Sequence, residues 1–429
     1  MSINPDQVVA KVSRRFIPFL IWCYFLSYLD RVNIGFAALT MNKDIGLSST
    51  AFGFGASIFF LGYFLFEVPS NLILEKTGAR IWIARIMITW GILSIGHAFI
   101  WDDRSFYALR FIFGVAEAGF FPGIILYLTY WFPAEVRARI IGMFMVAVPI
   151  SSLIGAPLSS WILSVVGDGF WGLKGWQWMF ILEGLPAVIL GIVIYYRLPD
   201  RPAEAKWLPA EQKQWLESAL AADPTRPRKS HLFDTFHSFY DPRVLGMAAI
   251  YLCNTSANFS LAFFLPQIVG TMGLSQITTQ LLVAIPAFMG VLGLLVIGNL
   301  ADRFGKRPLL ITCLVITGLG LGTAAMIGAA GASLIGIAAL SFAGIGIHSL
   351  KSPFWALAPM TLSASAAAGG IAWINSVGNL GGFFGPTILG WLTDHFGGYR
   401  AGILALAGVQ LVAILITLLL RPRAGTGKA

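Results

Sequence analysis

Charge is scarce in this sequence. Lys, Arg, Asp and Glu make up 11% of its 429 residues and hydrophobic residues 57%, whereas a soluble domain carries roughly 25% charged residues. A water-soluble globule is excluded. Cysteine is scarcer still: Cys23, Cys253 and Cys313 lie inside apolar runs, with no paired spacing and no adjacent histidine cluster. That excludes a disulfide framework and a metal site and leaves packing roles. The formal net charge of +9 would suit nucleic acid only if basic residues gathered on one solvated face with aromatics to stack on bases. Here the positive residues fall between hydrophobic runs, so nucleic acid is excluded as a partner. A nucleophile–base pair, a metal cluster and a phosphate-cradling loop are also missing, which argues against an enzyme. No ring of charges marks an open pore.

Long apolar runs are what the sequence does have. They fall at 16–40, 52–74, 81–101, 107–132, 140–166 and 177–198, and again at 243–270, 277–300, 308–328, 332–360, 366–392 and 402–420, each near the roughly 20 residues that cross a bilayer as a helix. Lys11, Arg14 and Arg15 before the first run imitate a signal peptide. That run continues without a small-residue cleavage site to Asp30-Arg31, so it is read as a retained first span. The expected protein is all-α and polytopic, its lipid-facing surface in contact with the bilayer. Twelve transmembrane helices are divided into a half over 1–198, a linker over 199–242 and a second half over 243–429.

The linker, opening Pro199-Asp200-Arg201-Pro202 and carrying Pro224, Arg226, Pro227, Arg228 and Lys229, is too polar for hydrocarbon. Within it Leu208, Trp215, Leu216, Ala219 and Leu220 recur at helical spacing, mostly opposite Glu211, Lys213 and Glu217. They predict a short amphipathic helix against the membrane surface or the undersides of the halves. In alternate loops Lys and Arg number 21 on the side of the termini and four on the other, an asymmetry that places both termini in the cytoplasm. The expected location is the inner (plasma) membrane.

The two halves echo each other. Glu75-Lys76-Thr77-Gly78-Ala79-Arg80 after span 2 matches part of Gly298-Asn299-Leu300-Ala301-Asp302-Arg303-Phe304-Gly305-Lys306-Arg307 after span 8, with Gly78 to Gly305 and Arg80 to Arg307 both 227 apart. Gly155-Ala156-Pro157 in span 5 faces Gly385-Pro386 in span 11 at nearly the same offset. Two matches at one period favour duplicated halves, with a site near the midplane where they meet.

These residues carry a family resemblance. The loop over Gly298–Arg307 resembles the signature loop of the major facilitator superfamily, and the loop after span 2 is a degenerate copy of it. More narrowly, Tyr28-Leu29-Asp30-Arg31-Val32-Asn33-Ile34-Gly35, Arg110-Phe111-Ile112-Phe113-Gly114-Val115-Ala116-Glu117-Ala118-Gly119 and Asn375-Ser376-Val377-Gly378-Asn379-Leu380-Gly381-Gly382 resemble the anion:cation symporter family, in its bacterial organic-acid branch of tartrate and phthalate permeases. The resemblance covers nearly the whole chain apart from the linker. It implies the major facilitator fold with two pseudo-symmetric six-helix halves. It also implies roles in proton coupling for Asp30 and Glu117 and in anion binding for Arg31 and Arg110.

The residues point the same way on physical grounds. Ionisable groups at mid-membrane are costly unless paired or facing water. Asp30 and Arg31 stand about halfway along span 1, while Arg110 and Glu117 lie two turns apart on one face of span 4. Structural salt bridges are the bland account, yet a buried ion pair is often no more stabilising than apolar packing of equal volume. Guanidinium stays protonated and binds carboxylate through parallel hydrogen bonds, whereas a buried carboxyl group can titrate near neutral pH. The expected cycle therefore has Asp30 and Glu117 each neutralising an arginine until protonation frees Arg31 and Arg110 for a substrate carboxylate. The proton is the coupling ion and no cofactor is needed.

Further candidates have two readings each. Tyr28 and Tyr63 contact either the substrate or a neighbouring helix. Asn375 and Asn379, with Ser376 beside them, bind a hydroxy acid or join helices amid glycines. Lys351 and Trp355 in span 10 hold a second carboxylate or an aromatic ring, or Lys351 faces an aqueous cavity. Glu67 and Glu183 are expected to meet cytoplasmic-loop arginines or backbone donors outside the site. Asp302, Arg303 and Arg307 are expected to gate, through contacts between the halves at a cytoplasmic helix terminus in the outward-facing state, and not to bind substrate. The function expected is a monomeric proton-coupled importer of a small organic anion such as a sugar acid or tartrate. A drug/proton antiporter of the same fold is the rival, which paired arginines suit poorly.

Overall fold

The computed structural model describes residues 4–166, 169–222, 240–327, 333–361 and 367–420. These residues form helices joined by short turns, with no strand among them. The apolar runs dictate this, because only a helix satisfies every backbone polar group within one segment where water is absent.

Span 1 is α1 (Pro5–Val32) continued by α2 (Ile34–Ile45), span 2 is α3 (Ser49–Thr77) and span 3 is α4 (Ala79–Gly96). Span 4 comprises α5 (Asp103–Glu117) and α6 (Phe120–Thr129), span 5 α7 (Ala134–Met145) and α8 (Ala147–Val166), and span 6 α9 (Gly175–Arg197). The linker contributes α10 (Ala210–Ala221). Spans 7 to 9 are α11 (Pro242–Gly270), α12 (Gln276–Phe304) and α13 (Lys306–Met326). Span 10 is α14 (Leu334–Ser349) with α15 (Lys351–Thr361), span 11 α16 (Ala367–Asn379) with α17 (Gly381–Phe396), and span 12 α18 (Arg400–Leu419). Eight of these spans are long and apolar enough to cross a membrane by length and composition; spans 1, 5, 8 and 11 complete the bundle of twelve.

Several spans drawn as continuous are interrupted beside candidate polar residues. The interruptions fall at Asn33 after Asp30-Arg31, at Ala118-Gly119 after Glu117, at Leu350 before Lys351 and at Leu380 after Asn379. At Asn33, Leu350 and Leu380 the backbone stays right-handed helical. Span 4 breaks fully: Ala118 turns to ψ 132° and Gly119 to φ 85°, a conformation that glycine adopts at little cost. Glu117 is thereby the last residue of its helix.

The predicted loops after spans 2 and 8 shrink to one glycine each, since α3 runs to Thr77 and α12 to Phe304. Gly78 (φ 90°, ψ 151°) and Gly305 (φ 83°, ψ 144°) take the same backbone conformation, so the repeat read at an offset of 227 reappears as geometry. In this structure, closed at the face away from the termini, Arg307 bonds within its own half. Its guanidinium donates to the carbonyls of Thr417 (2.9 and 3.1 Å) and Leu418 (2.7 Å) at the end of α18, within its own half, where it satisfies carbonyls that a helix end leaves unpaired. Asp302 and Arg303 lie in α12, and their side chains fall outside what the structure describes.

The amphipathic segment docks on the underside of the first half. Leu208, Leu216 and Leu220 are buried, Trp207 meets Phe16 edge-on at 5.8 Å, and the Arg15 guanidinium lies 5.0 Å from the Trp207 ring. Residues 223–239, with Pro224, Arg226, Pro227, Arg228 and Lys229, are outside the described residues.

The halves meet through α3 with α17, α8 with α12 and α2 with α11. Most hydrogen bonds between them, among the described residues, lie towards the face away from the termini. Asn42 donates to Gln267 (3.2 Å), Ser57 and Thr387 share a bond (2.7 Å), and Asp394 accepts from the backbone amides of Ser49 (3.1 Å) and Thr50 (2.7 Å). The Asp394 contacts cap the first turn of α3, whose amides have no partner within the helix. This far face is bolted shut.

Candidate functional site

Successive side chains on a helix diverge by about 100°, and Asp30 and Arg31 accordingly reach different neighbours. Arg31 turns towards spans 2 and 4, where its Nη2 donates to Glu117 Oε1 in an ion pair. Ser27 Oγ donates to the same carboxylate oxygen at 2.7 Å. The Arg31 guanidinium also lies 5.1 Å from the Phe59 ring centre and 5.4 Å from that of Tyr63. Arg110 approaches Phe59 at the same 5.1 Å and Phe113 at 5.5 Å, and its Nη2 donates to the Ala56 carbonyl at 2.9 Å. One aromatic ring is thus shared by two guanidiniums, a favourable arrangement for each.

The spacing of span 4 makes this approach possible. Gly114 lies between Arg110 and Glu117, and a Cβ there would collide with the Phe59 carbonyl. Arg110 and Glu117 are 1% and 0% exposed. Arg31 Nε, Arg110 Nε and Glu117 Oε2 are buried without a hydrogen-bond partner among the described residues.

Asp30 turns towards span 3. Its Oδ2 accepts from Trp90 Nε1 at 2.9 Å, and its Oδ1 accepts from Ser94 Oγ at 2.9 Å and from Asn33 Nδ2 at 3.5 Å. The expectation that each acid neutralises an arginine is therefore corrected. Glu117 pairs with Arg31, Asp30 meets neutral donors alone among the described residues, and Arg110 hydrogen-bonds to backbone.

The two acids set aside from the sequence also have partners other than those expected. Glu183 accepts from Asn33 Nδ2 at 3.0 Å and from Ser159 Oγ at 2.7 Å, so its donors are side chains and none is a loop arginine. Glu67 accepts from Ser376 Oγ at 2.9 Å, a bond from span 2 to span 11 that joins the halves. Ser376 therefore binds a partner helix here instead of standing ready beside Asn375 and Asn379.

In the second half Lys351, Trp355, Asn375 and Asn379 are all half-buried. Trp355 packs edge-on against Tyr251 at 5.2 Å and Phe354 at 5.1 Å. Thr255 Oγ1 donates to the Gly378 carbonyl, next to Asn379. A cavity between the halves is lined by Tyr28 and Ala156 on one side and by Asn258, Pro286 and His348 on the other. The structure therefore gathers Arg31, Arg110, Glu117 and Tyr63 around Phe59. It places Tyr28 in a cavity facing the second half and leaves Lys351, Asn375 and Asn379 in that half.

Several neighbours went unread in the sequence: Phe59, Trp90, Ser94 and Asn33 around the charges, and the run Asn254-Thr255-Ser256-Ala257-Asn258-Phe259-Ser260 in span 7. Polar residues so dense at the middle of an apolar run were a visible signal. Asn254 is 0% exposed, and neither of its amide atoms has a hydrogen-bond partner among the described residues.

The fold and these clusters can now be set beside known proteins. The family model of the Major Facilitator Superfamily matches residues 20–358 and 247–429. The chain belongs to the Major Facilitator Superfamily. It is 47% identical, over 96% of its length and 91% of the other chain, to a protein of Agrobacterium vitis provisionally named a tartrate transporter. It is 41% identical, over 97% of its length and 95% of the other, to the quinolone resistance transporter of Acinetobacter baumannii. Among solved structures, a bacterial homologue of the human lysosomal transporter Spinster, inward-facing and unoccupied, superposes with a TM-score of 0.75 at 16% identity, covering 95% of this chain and 96% of that one. The superfamily member described here is a multi-pass membrane transporter and not an enzyme. Its likeness to a tartrate-type relative bears out the resemblance to the organic-acid branch.

Proposed function

We propose that this transporter is a proton-coupled symporter of small organic anions bearing a carboxylate. One observation carries the reading: the cluster around Phe59 holds two guanidiniums, Arg31 and Arg110, against a single carboxylate, Glu117. Guanidinium does not deprotonate in a protein, so the cluster is one negative charge short. A substrate carboxylate supplies that charge, and the unpartnered Nε atoms of both arginines offer it donors.

The coupling step follows from the ion pair. With Glu117 ionised, Arg31 is engaged; a proton on Glu117 removes the attraction and releases Arg31 to join Arg110 in binding the anion. Proton and anion therefore favour one another's binding, the reciprocity that coupling requires. Asp30 carries a proton in its separate cluster beside span 3. Asn379, Asn375, Tyr28, Tyr63, Lys351 and Trp355 shape the rest of the substrate's surroundings. The Lys and Arg asymmetry supports cytoplasmic termini and an inner-membrane location, and we propose that the protein works as a monomer. On that orientation the bolted face looks outward.

The relative named for quinolone resistance supports drug/proton antiport as the second reading. Proteoliposomes separate the two. An inward proton gradient should drive accumulation of labelled tartrate or a related acid; cation extrusion with no acid uptake would replace symport by antiport.

A further inference from the structure

Glu183 is 1% exposed in the middle of span 6 and Asp30 is 2% exposed in span 1, yet neither forms an ion pair among the described residues. One amide joins them: Asn33 Nδ2 lies 3.0 Å from Glu183 Oε2 and 3.5 Å from Asp30 Oδ1. Two adjacent carboxylates without a cation repel one another, and each is costly to bury as an anion. Holding a proton between them relieves both penalties.

The donors are arranged to permit that. Trp90 Nε1–H and the Nδ2–H of Asn33 can only donate, so they keep Asp30 Oδ2 and Glu183 Oε2 as acceptors. The other oxygen of each acid faces a serine hydroxyl, Ser94 for Asp30 at 2.9 Å and Ser159 for Glu183 at 2.7 Å. A hydroxyl donates to a carboxylate and turns to accept from a carboxylic acid. The serine-facing oxygen of each acid, Asp30 Oδ1 and Glu183 Oε1, can therefore hold or release a proton while its hydroxyl partner reverses role. A purely structural network would not need this reversibility on both sides.

Span 4 presents Glu117, ion-paired with Arg31, and Arg110 to this region, Glu117 acting on Asp30 and Arg110 on His97 through their charges. Span 3 presents His97, whose Nδ1 lies 2.8 Å from the Leu93 carbonyl and whose ring meets Phe180 of α9 at 5.2 Å. Arg85 of α4 is directed to the Ala116 carbonyl at 3.5 Å. From α8 come only hydroxyls, Ser159 and Ser160. At the far-face end of α9, Asp44 of α2 accepts from Trp176 Nε1 and pairs with Lys174, both at 2.7 Å. Glu183 lies eight residues from that end, about 12 Å at 1.5 Å per residue, between the far face and Asp30.

We propose that Glu183 is a further proton-binding residue of the carrier beside Glu117 and Asp30, joined to Asp30 through Asn33 so that these two carboxyls load and release protons as a pair. The inference rests on the symport reading and extends it: protons arriving from the far face occupy Glu183 and Asp30 together, and the pair titrates in steps that belong to neither residue alone.

The test uses the full chain in proteoliposomes with labelled tartrate, comparing wild type with Glu183→Gln, which resembles a permanently protonated glutamate, and with Ser159→Ala, which keeps both acids. Glu183→Gln should retain tartrate exchange, accumulate less tartrate under an inward proton gradient and move fewer protons per anion. Ser159→Ala should shift the pH of half-maximal uptake. In infrared difference spectra between acid and alkaline pH, the carboxylic-acid carbonyl band should lose intensity in Glu183→Gln. Wild-type proton ratio and an unchanged infrared band in Glu183→Gln, or an unmoved pH profile in Ser159→Ala, would overturn the proposal. If wild type itself shows no proton-driven uptake, the symport reading fails, and the infrared arm still decides whether Glu183 titrates.

Discussion

The two halves share a fold and a repeat but differ in what they bury. The first half encloses Asp30, Arg31, Glu67, Arg110, Glu117 and Glu183, which form two clusters, Arg31, Arg110 and Glu117 at Phe59 and Asp30 with Glu183 through Asn33, besides Glu67. The second presents neutral polar groups, Asn254, Thr255, Ser256, Asn258 and Asn379, with Lys351 and His348 of span 10 as ionisable groups beside them. Duplication gave both halves the same glycine hinge at Gly78 and Gly305, so the difference arose on a common frame. On the symport reading proposed above, the charged half carries the energetics, through groups that titrate, and the neutral half carries selectivity, through donors and acceptors that discriminate among anions.

The sharpest way to break this division is to strip Glu117 of its cation. Arg31→Ala leaves a buried carboxylate unpartnered, a loss of about 3–5 kcal/mol, seen as a lower melting temperature together with abolished uptake. Adding Glu117→Gln should recover much of the stability and none of the coupled transport. Asp30→Asn comes next, with gradient-driven accumulation falling about 100-fold, the scale of losing a positioned proton carrier, while exchange persists. Phe59→Leu removes the ring shared by Arg31 and Arg110, at about 1–2 kcal/mol, which raises KM roughly five- to thirty-fold. In the second half, Asn379→Ala should cost about 1 kcal/mol of substrate binding. It should also alter the ranking among hydroxy acids and leave the proton ratio untouched.

The smallest effect concerns the bolted far face. Partial burial pushes the Asp394 carboxyl up, but hydrogen bonds from Thr50 and from Ser48 and Ser49 outweigh this and hold it below its ordinary value. A carboxyl lowered in the folded state contributes stability above its unfolded value and loses it as pH falls through the lowered one. Asp394→Asn should therefore destabilise the protein at neutral pH, and the gap from wild type should close in acid, as read by melting temperature against pH.

How far the sequence led can be judged from particular residues. Depth was readable: a charge in an apolar run is rare enough that Asp30, Arg31, Arg110 and Glu117 stood out. Direction around the helix was not, and this is where the pairing went astray. Asp30 and Arg31 are adjacent, so they must project apart, and the aromatic and hydroxyl partners that receive Asp30, Trp90 and Ser94, carry no charge to advertise them. Glu183 reads as a partner of loop arginines or backbone donors because nothing local ties span 6 to Asn33, 150 positions away. The helix breaks were hidden for a different reason. At Asn33, Leu350 and Leu380 the interruption is one residue in helical conformation, which no apolar periodicity registers, whereas Ala118-Gly119 was marked by its glycine.

The most direct test of the division of labour is the ratio of proton flux to tartrate flux in one set of proteoliposomes carrying wild type, Asp30→Asn or Asn379→Ala. The account predicts a fixed ratio in wild type, the same ratio at a lower rate in Asn379→Ala, and a collapsed ratio with exchange preserved in Asp30→Asn. A ratio that changes in Asn379→Ala and survives in Asp30→Asn would contradict it.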